Sequence, residues 1–330
     1  MFNTANRDRA ACVSLGCRCD VPMTAAKTTE TPSPRYSGID LWSPGEILDA
    51  MIEGQFAAVG AVHAARGALE TAALAIEERL RHGGRLVYAG AGTSGRLAVQ
   101  DGAELMPTFS WPQDRLLLLL AGGEEALIRA VEGAEDDAAA AGHLVRQHDV
   151  GPDDALVAVA ASGTTPFTLG ALRAAKAAGA LIVAIANNRD APLLIEADHP
   201  VWLETGAEPI AGSTRMKAGT AQRVALTMLS TLVMIRLGRV YRGLMVDLQA
   251  VNTKLVRRSE NILMQLTGRR RDEVRAGLRQ AGGDVKTAFL VLEGCVLDDA
   301  RRLLRHSGGN LRTARELAAP RALRRAKTPA

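Results

Sequence analysis

The chain has 330 residues, 47% of them hydrophobic and only 3% aromatic, with a net charge of +4 whose basic excess lies mainly in the C-terminal third. That hydrophobic share supplies a core and excludes global disorder, and the length fits one large domain or two modest ones. No apolar run approaches the roughly 18 residues of a membrane span, and the N-terminus lacks the apolar stretch of a signal peptide, so a cytoplasmic enzyme without membrane attachment is expected.

In chain order, Met1–Pro22 is polar and aperiodic. Its cysteines, Cys12, Cys17 and Cys19, form a C-x4-C-x-C spacing that fits no zinc pattern. The stretch is expected to be a disordered or spurious extension, with Met23 the real start. A Pro/Ser/Thr-rich arm covers Thr28–Gly38. Ser43 predicts a helix N-cap with Pro44 at the first helical position. Apolar residues recur at helical spacing from Met51 to Arg81, and Gly83-Gly84 closes that run.

Leu86–Ala89 reads as a strand that runs into Gly90-Ala91-Gly92-Thr93-Ser94-Gly95, with a helix from Arg96 that Pro107 stops. A second strand, Arg115–Leu120, leads through Ala121-Gly122-Gly123-Glu124 into an acidic helix reaching about His148. A third, Ala155–Ala161, meets Ser162-Gly163-Thr164-Thr165-Pro166 and another helix. A fourth, Ala180–Ala186, ends in Asn187-Asn188, and a fifth, Pro200–Glu204, meets Gly206-Ala207-Glu208. Continuous apolar strands alternating with helices predict a doubly wound α/β fold: a parallel five-stranded sheet flanked by helices. Ligands of such sheets bind beyond the carboxyl ends of the strands.

Two strand ends carry glycine and hydroxyl residues together. Around Gly92, Thr93 and Ser94 the spacing also satisfies G-x-G-x-x-G, a dinucleotide fingerprint. Two adjacent hydroxyls suit a phosphate monoester better, because it has more charge and more oxygens to satisfy. Ser162, Gly163, Thr164 and Thr165 form the second loop. It also reads as a plain helix start, and both uses draw on the same orphan N–H groups. A dinucleotide site stays open at this point, since Glu124 could meet a ribose. Ser213 or Thr214 is an N-cap candidate for a long helix reaching about Leu237, and Arg215 and Lys217 could draw an anionic group. The six histidines are scattered without metal-ligand spacing, and no metal is expected.

Gly90–Phe109, Ala130–Asp136 and above all the seventeen residues Gly206–Gln222 resemble the N-acetylmuramic acid 6-phosphate etherases, of the sugar isomerase (SIS) fold and related to the glucokinase regulatory protein. The resemblance runs from about Thr29 to the C-terminus. It departs at Ser33, where Asn is usual, and at Gln100-Asp101-Gly102. It implies cleavage of a lactyl ether by elimination and rehydration, with Glu104 as acid, Glu135 as base and no metal or redox cofactor. The acid would need an apolar setting to stay protonated, which Leu105, Met106 and Phe109 could supply. Ten residues of helix set Glu104 about 15 Å from Ser94, so Glu104 is expected either to follow a bend or to serve a neighbouring subunit. A homodimer with the site at its interface is implied. Asn252, Lys254 and Arg258 match an N-x-K-L-x-x-R pattern that the related regulatory protein uses on its sugar phosphate. The alternative function is a non-catalytic sugar-phosphate-binding regulator, which would not need both carboxylates.

Toward the C-terminus, Leu278–Ala288 recurs as Leu304–Ala314. Each copy reads as a helix end, a Gly-Gly cap, an Asp or Asn N-cap and a new helix, which predicts a small helical bundle. Too little chain follows for a recognition helix, so nucleic acid is not an expected partner. The expected divisions are 1–22 for the extension, 23–266 for the phosphosugar-binding domain and 267–330 for the bundle.

Overall fold

Five short apolar runs form the sheet: β1 (Leu86–Gly90), β2 (Leu116–Leu120), β3 (Ala155–Val159), β4 (Leu181–Ala186) and β5 (His199–Trp202). All pair in parallel in the order β2-β1-β3-β4-β5. The computed structural model describes residues 28–248 and 253–318, with the Lys254 side chain left out. The expected extension 1–22 with its three cysteines, Asn252, and the chain beyond 318 lie outside the described residues.

Side chains of β1, β3 and β4 are buried at every position, so the sequence shows apolar runs in place of alternation. Leu86, Tyr88, Val157 and Val183 face one cluster, with α1 (Pro44–Ala64), α2 (Arg66–Arg81), α3 (Gly92–Phe109) and α7 (Lys217–Arg236) packed on it. Val87, Ala89, Leu156 and Ala184 face the other, under α4 (Ala138–Gln147), α5 (Pro166–Ala177) and α6 (Pro192–Glu196). The doubly wound arrangement is as expected. The strand order reverses between β1 and β3, which makes their carboxyl ends the switch point of the sheet.

Local chemistry explains the element boundaries, including several that differ from expectation. Ser43 and Glu46 form a reciprocal capping box at the start of α1. The run to Arg81 is two helices, broken at Ala65. Gly83, at φ 101°, closes α2, with the Gly84 N–H returning to the Arg79 carbonyl at 3.1 Å. Helix α3 begins at Gly92, four residues before Arg96, so Thr93 and Ser94 lie in its first turn. Pro107 does not stop it. A proline in the last turn forfeits only one helical hydrogen bond, and α3 ends at Ser110, which turns left-handed at φ 50°. Nor is 121–148 one helix. Gly122, Gly123 and Gly133 adopt φ of 79°, 64° and 73°, which divides it into two 3-10 turns, Gly123–Leu127 and Ala134–Asp136, ahead of α4.

Helix α7 has the length and apolarity of a membrane span, contrary to the expectation from the sequence, but 56% of its most apolar stretch is buried inside the fold. It is the central helix of its layer, against α1, α2 and α3. Beyond it a two-stranded hairpin, β6 (Val240–Tyr241) and β7 (Leu244–Met245), leads to α8 (Thr253–Thr267), α9 (Arg271–Gln280), α10 (Val285–Leu292), α11 (Leu297–His306) and α12 (Leu311–Ala318). Both copies of the repeat fold alike. Asp284 accepts from the Thr287 N–H at 2.8 Å and Asn310 from the Thr313 N–H at 3.1 Å. Their shared core also takes in Tyr241, Val246, Ile262 and Leu263.

At the amino end of the sheet Asp154 ties β1 to β3. It accepts from Arg85 Nη2 at 2.7 Å, Arg85 Nε at 3.1 Å, the Arg85 N–H at 2.9 Å and the Gly151 N–H at 3.0 Å. Burial pushes its carboxyl up, but these hydrogen bonds together outweigh burial and hold it below the usual aspartate range. The stability it contributes is therefore present above pH 3.8 and lost as pH falls from there through the lower folded value. Asp154→Asn is expected to cost about 2–3 kcal/mol at neutral pH. In urea titrations at stepped pH the gap from wild type should close only below about pH 4.

Candidate active site

At the switch point two helices begin at the ends of neighbouring strands, α3 toward one face of the sheet and α5 toward the other. The first turn of α3 lies directly on the end of β1. A Cβ on Gly95 would stand 2.7 Å from the Gly90 carbonyl carbon and 2.5 Å from Leu120 Cδ1, so only glycine permits the approach. Gly92 is exposed at φ 53°, Thr93 is half-buried, and Ser94 is 8% exposed. The Ser94 hydroxyl has no hydrogen-bond partner among the described residues. At the end of β3, Gly163 turns left-handed at φ 67°, where a Cβ would meet that of Ala191 at 2.3 Å. The Ser162 hydroxyl accepts from the Thr164 N–H and from the Thr164 hydroxyl, each at 3.2 Å, and lies 3.4 Å from Thr165 Oγ1. Thr165 occupies the N-cap position of α5 before Pro166, yet its side chain makes no capping bond. Two hydroxyl-bearing loops, each opening a helix, thus follow the neighbouring strands β1 and β3, and a helix start of this kind favours an anion.

A third helix start, that of α7, stands next to them, with the Thr93 methyl 3.5 Å from where a Cβ on Gly219 would be. Neither Ser213 nor Thr214 caps this helix, which begins later, at Lys217. The cap is Glu208, 1% exposed, whose carboxylate accepts from the Lys217 N–H at 3.0 Å and the Ala218 N–H at 2.9 Å. The sequence did not single out Glu208, since a cap nine residues upstream has no local signature. Lys217 is 6% exposed and packs its stem on Gly54. Burial lowers the pKa of its ammonium, with Glu208 working the other way. Ser213 is half-buried and Arg215 exposed on the same turn.

Beneath these loops lies a buried polar layer. Asn187 donates to the Leu203 carbonyl at 3.1 Å and accepts from Gln222 at 2.9 Å, while Gln222 Oε1 is left without a partner. Asn188 donates to Thr29 Oγ1 and to the Ala161 carbonyl, both at 3.1 Å. The Thr29 carbonyl accepts from the Gly212 N–H at 3.0 Å, so the N-terminal arm ties the loop after β4 to the loop after β5.

One chain does not bring the two expected carboxylates together. Glu135 is exposed in the 3-10 turn just before α4, on the α4–α5 side of the sheet. Glu104 is exposed on the α3–α7 side, in a cavity of about 170 Å³ with Asp101, Arg223 and Thr227. Leu97, Leu105 and Phe109 line the same cavity, so part of the apolar setting expected around Glu104 is present, although Glu104 itself is exposed and Met106 turns outward. Beside Glu104, Asp101 accepts from Tyr88 Oη at 2.7 Å and from Ser230 Oγ at 3.2 Å. Burial pushes its carboxyl above the usual range, and these bonds only partly offset that. Arg258 is exposed on α8, near Met245 Sδ at 3.9 Å, and α8 packs on α9 and α10. No three His, Cys, Asp or Glu side chains cluster as a metal site among the described residues.

Residues 69–176 match the glucokinase regulatory protein N-terminal SIS domain, and residues 136–232 match the SIS domain. The N-acetylmuramic acid 6-phosphate etherase of Deinococcus radiodurans is 52% identical over 271 residues, 82% of this chain and 89% of the relative. That of Rubrobacter xylanophilus is 43% identical over 264 residues, 80% and 88% of the two chains. Among solved structures, a phosphoheptose isomerase from Francisella tularensis is 19% identical with a TM-score of 0.44, covering 58% of this chain and 98% of its own.

Removal of the Glu208 carboxylate would leave two buried N–H groups without acceptors. Glu208→Ala is expected to lower stability by about 3 kcal/mol in a urea titration, and Glu208→Gln, which keeps one acceptor oxygen, by about half as much.

Proposed function

The chain belongs to the N-acetylmuramic acid 6-phosphate etherase family, and from that premise we propose that it converts N-acetylmuramic acid 6-phosphate and water into N-acetylglucosamine 6-phosphate and D-lactate. What supports the proposal is this membership together with the two hydroxyl-bearing loops that follow the neighbouring strands β1 and β3. The 6-phosphate sits against Gly92, Thr93 and Ser94 on one side and Ser162, Gly163, Thr164 and Thr165 on the other. Ser213 and Lys217 close the third side, where an anion would relieve the burial of the lysine charge.

The chemistry follows from the substrate. Opening of the sugar ring exposes an aldehyde at C1 and makes the C2 proton acidic. Glu135 removes that proton. The lactyl ether at C3 is then a β leaving group, and Glu104 protonates its oxygen as the bond breaks. Water adds back at C3. Each proton transfer contributes ~10²–10⁴-fold. The reaction class is a carbon–oxygen lyase, serving recycling of cell-wall amino sugars in the cytoplasm.

Since Glu104 and Glu135 lie on different sides of one sheet, the working unit we propose is a homodimer that shares its sites. Helix α1 supports this. Leu48, Ile52, Phe56 and Val59 fall on one helical face and are all exposed, Phe56 at 73%. Across such an interface a second copy would contribute its Glu104, and Asn252, Lys254 and Arg258 of α8 and its approach. The proposed division is into a phosphosugar-binding domain, 23–266, and a helical unit, 267–330, whose core also takes in Tyr241, Val246 and Ile262 from before that boundary.

Incubation with N-acetylmuramic acid 6-phosphate should release D-lactate, and a chain that binds the sugar but releases none would be a regulator. Glu135→Gln is expected to abolish exchange of the C2 proton with deuterated solvent. Glu104→Gln should retain that exchange while elimination nearly ceases, and a better leaving group at C3 should restore it. Rescue of Glu135→Gln by that analogue would mean that the two roles are exchanged. Ser94→Ala and Ser162→Ala should each weaken sugar 6-phosphate binding by about 1.5–3 kcal/mol, with little change for the unphosphorylated sugar.

A further inference from the structure

At the amino ends of the strands, away from the hydroxyl loops, the ends of α2, α3 and α7 face the C-terminal helices across a cavity of about 430 Å³. Arg81, Arg115, Arg239, Lys286, Arg301 and Arg305 line it, against only two carboxylates, Asp247 and Asp284. Asp284 is engaged as the cap of α10. Asp247 is shared between Arg239 at 3.3 Å and Lys286 at 3.0 Å. Arg81 pairs with Glu77. Arg115 is held by neutral partners alone, donating to the Gly84 carbonyl at 2.6 Å and to that of Leu80. Arg301 and Arg305 are exposed, and their side chains form no ion pair or hydrogen bond among the described residues.

Three of the positive groups, Arg115, Arg239 and Lys286, are fixed in place. The Arg115 and Arg239 guanidiniums stand over the one Trp111 indole, at 4.5 Å and 4.9 Å from its centroid. Lys286 is 5% exposed and also donates to the Gly309 carbonyl at 2.7 Å. Burial lowers the Arg115 pKa, and the charge of Arg239 lowers it further. A solvated basic face spreads its charges into water, but here they are gathered in a concavity with carbonyls, an indole and one shared carboxylate.

We propose that this cleft is a second ligand site, for a small molecule bearing two or more phosphate charges, separate from the sugar-phosphate crevice. The volume lies within the range of small-molecule pockets. Forked guanidiniums are the groups that suit phosphate oxygens. The site reaches the catalytic layer through Arg239, whose Nη1 also donates to the Phe109 and Ser110 carbonyls, at 2.7 Å and 2.9 Å, at the end of α3.

The test is calorimetric titration of the full chain with pyrophosphate, in a Ser94→Ala/Ser162→Ala background that disables the other phosphate site. Binding is expected in that background, and Arg301→Gln/Arg305→Gln added to it should weaken the affinity at least tenfold. Both arginines are exposed, so the change leaves the core intact. An absence of pyrophosphate binding in the background, or equal affinity with and without the two arginines, overturns the proposal.

Discussion

The contact between Gly95 and the end of β1 at Gly90 governs the rest of the molecule. It lets helix backbone rest on strand backbone with no side chain between. The first turn of α3 is thereby brought down to the level of the strand ends, at the switch point of the sheet. A methyl group there would lift the helix and withdraw Thr93 and Ser94 with it. The neighbouring loop at Gly163 is held as tightly against Ala191, and Asn188 and Thr29 fix the arm above it. Close approach, with few bulky aromatics to fill space, is what an alanine- and glycine-rich sequence makes possible.

Much of this was legible because burial on both faces leaves a plain mark. Leu86–Gly90, Ala155–Val159 and Leu181–Ala186 are apolar throughout and could hardly be anything but central strands. The hydroxyl loops were legible too, since their composition at a strand end is itself the signal. Boundaries were harder. Gly92 starts a helix that propensity would place later, and Pro107 ends nothing because a last turn has little to lose. The segment 121–148 carries helix-forming acidic residues, but three left-handed glycines override them.

In the candidate site the difficulties are of another kind. Glu208 acts through space on a helix that starts nine residues later, and nothing in a glutamate's neighbours announces that it is buried. Glu104 was set beside Leu105, Met106 and Phe109 by adjacency, yet successive helical residues turn by about 100°. Met106 accordingly turns outward, while Leu105 and Phe109, though buried, line one cavity with Glu104 and with Asp101 three residues before it.

Helix α7 joins the two ends of this molecule. Its twenty residues make a rod about 30 Å long. Glu208 grips its start among the hydroxyl loops, and its far end opens at Leu237 and Arg239 onto the basic cleft. Packed by α1, α2 and α3, it is one continuous strut that holds the hydroxyl loops and the basic cleft at opposite poles, a helix-length apart.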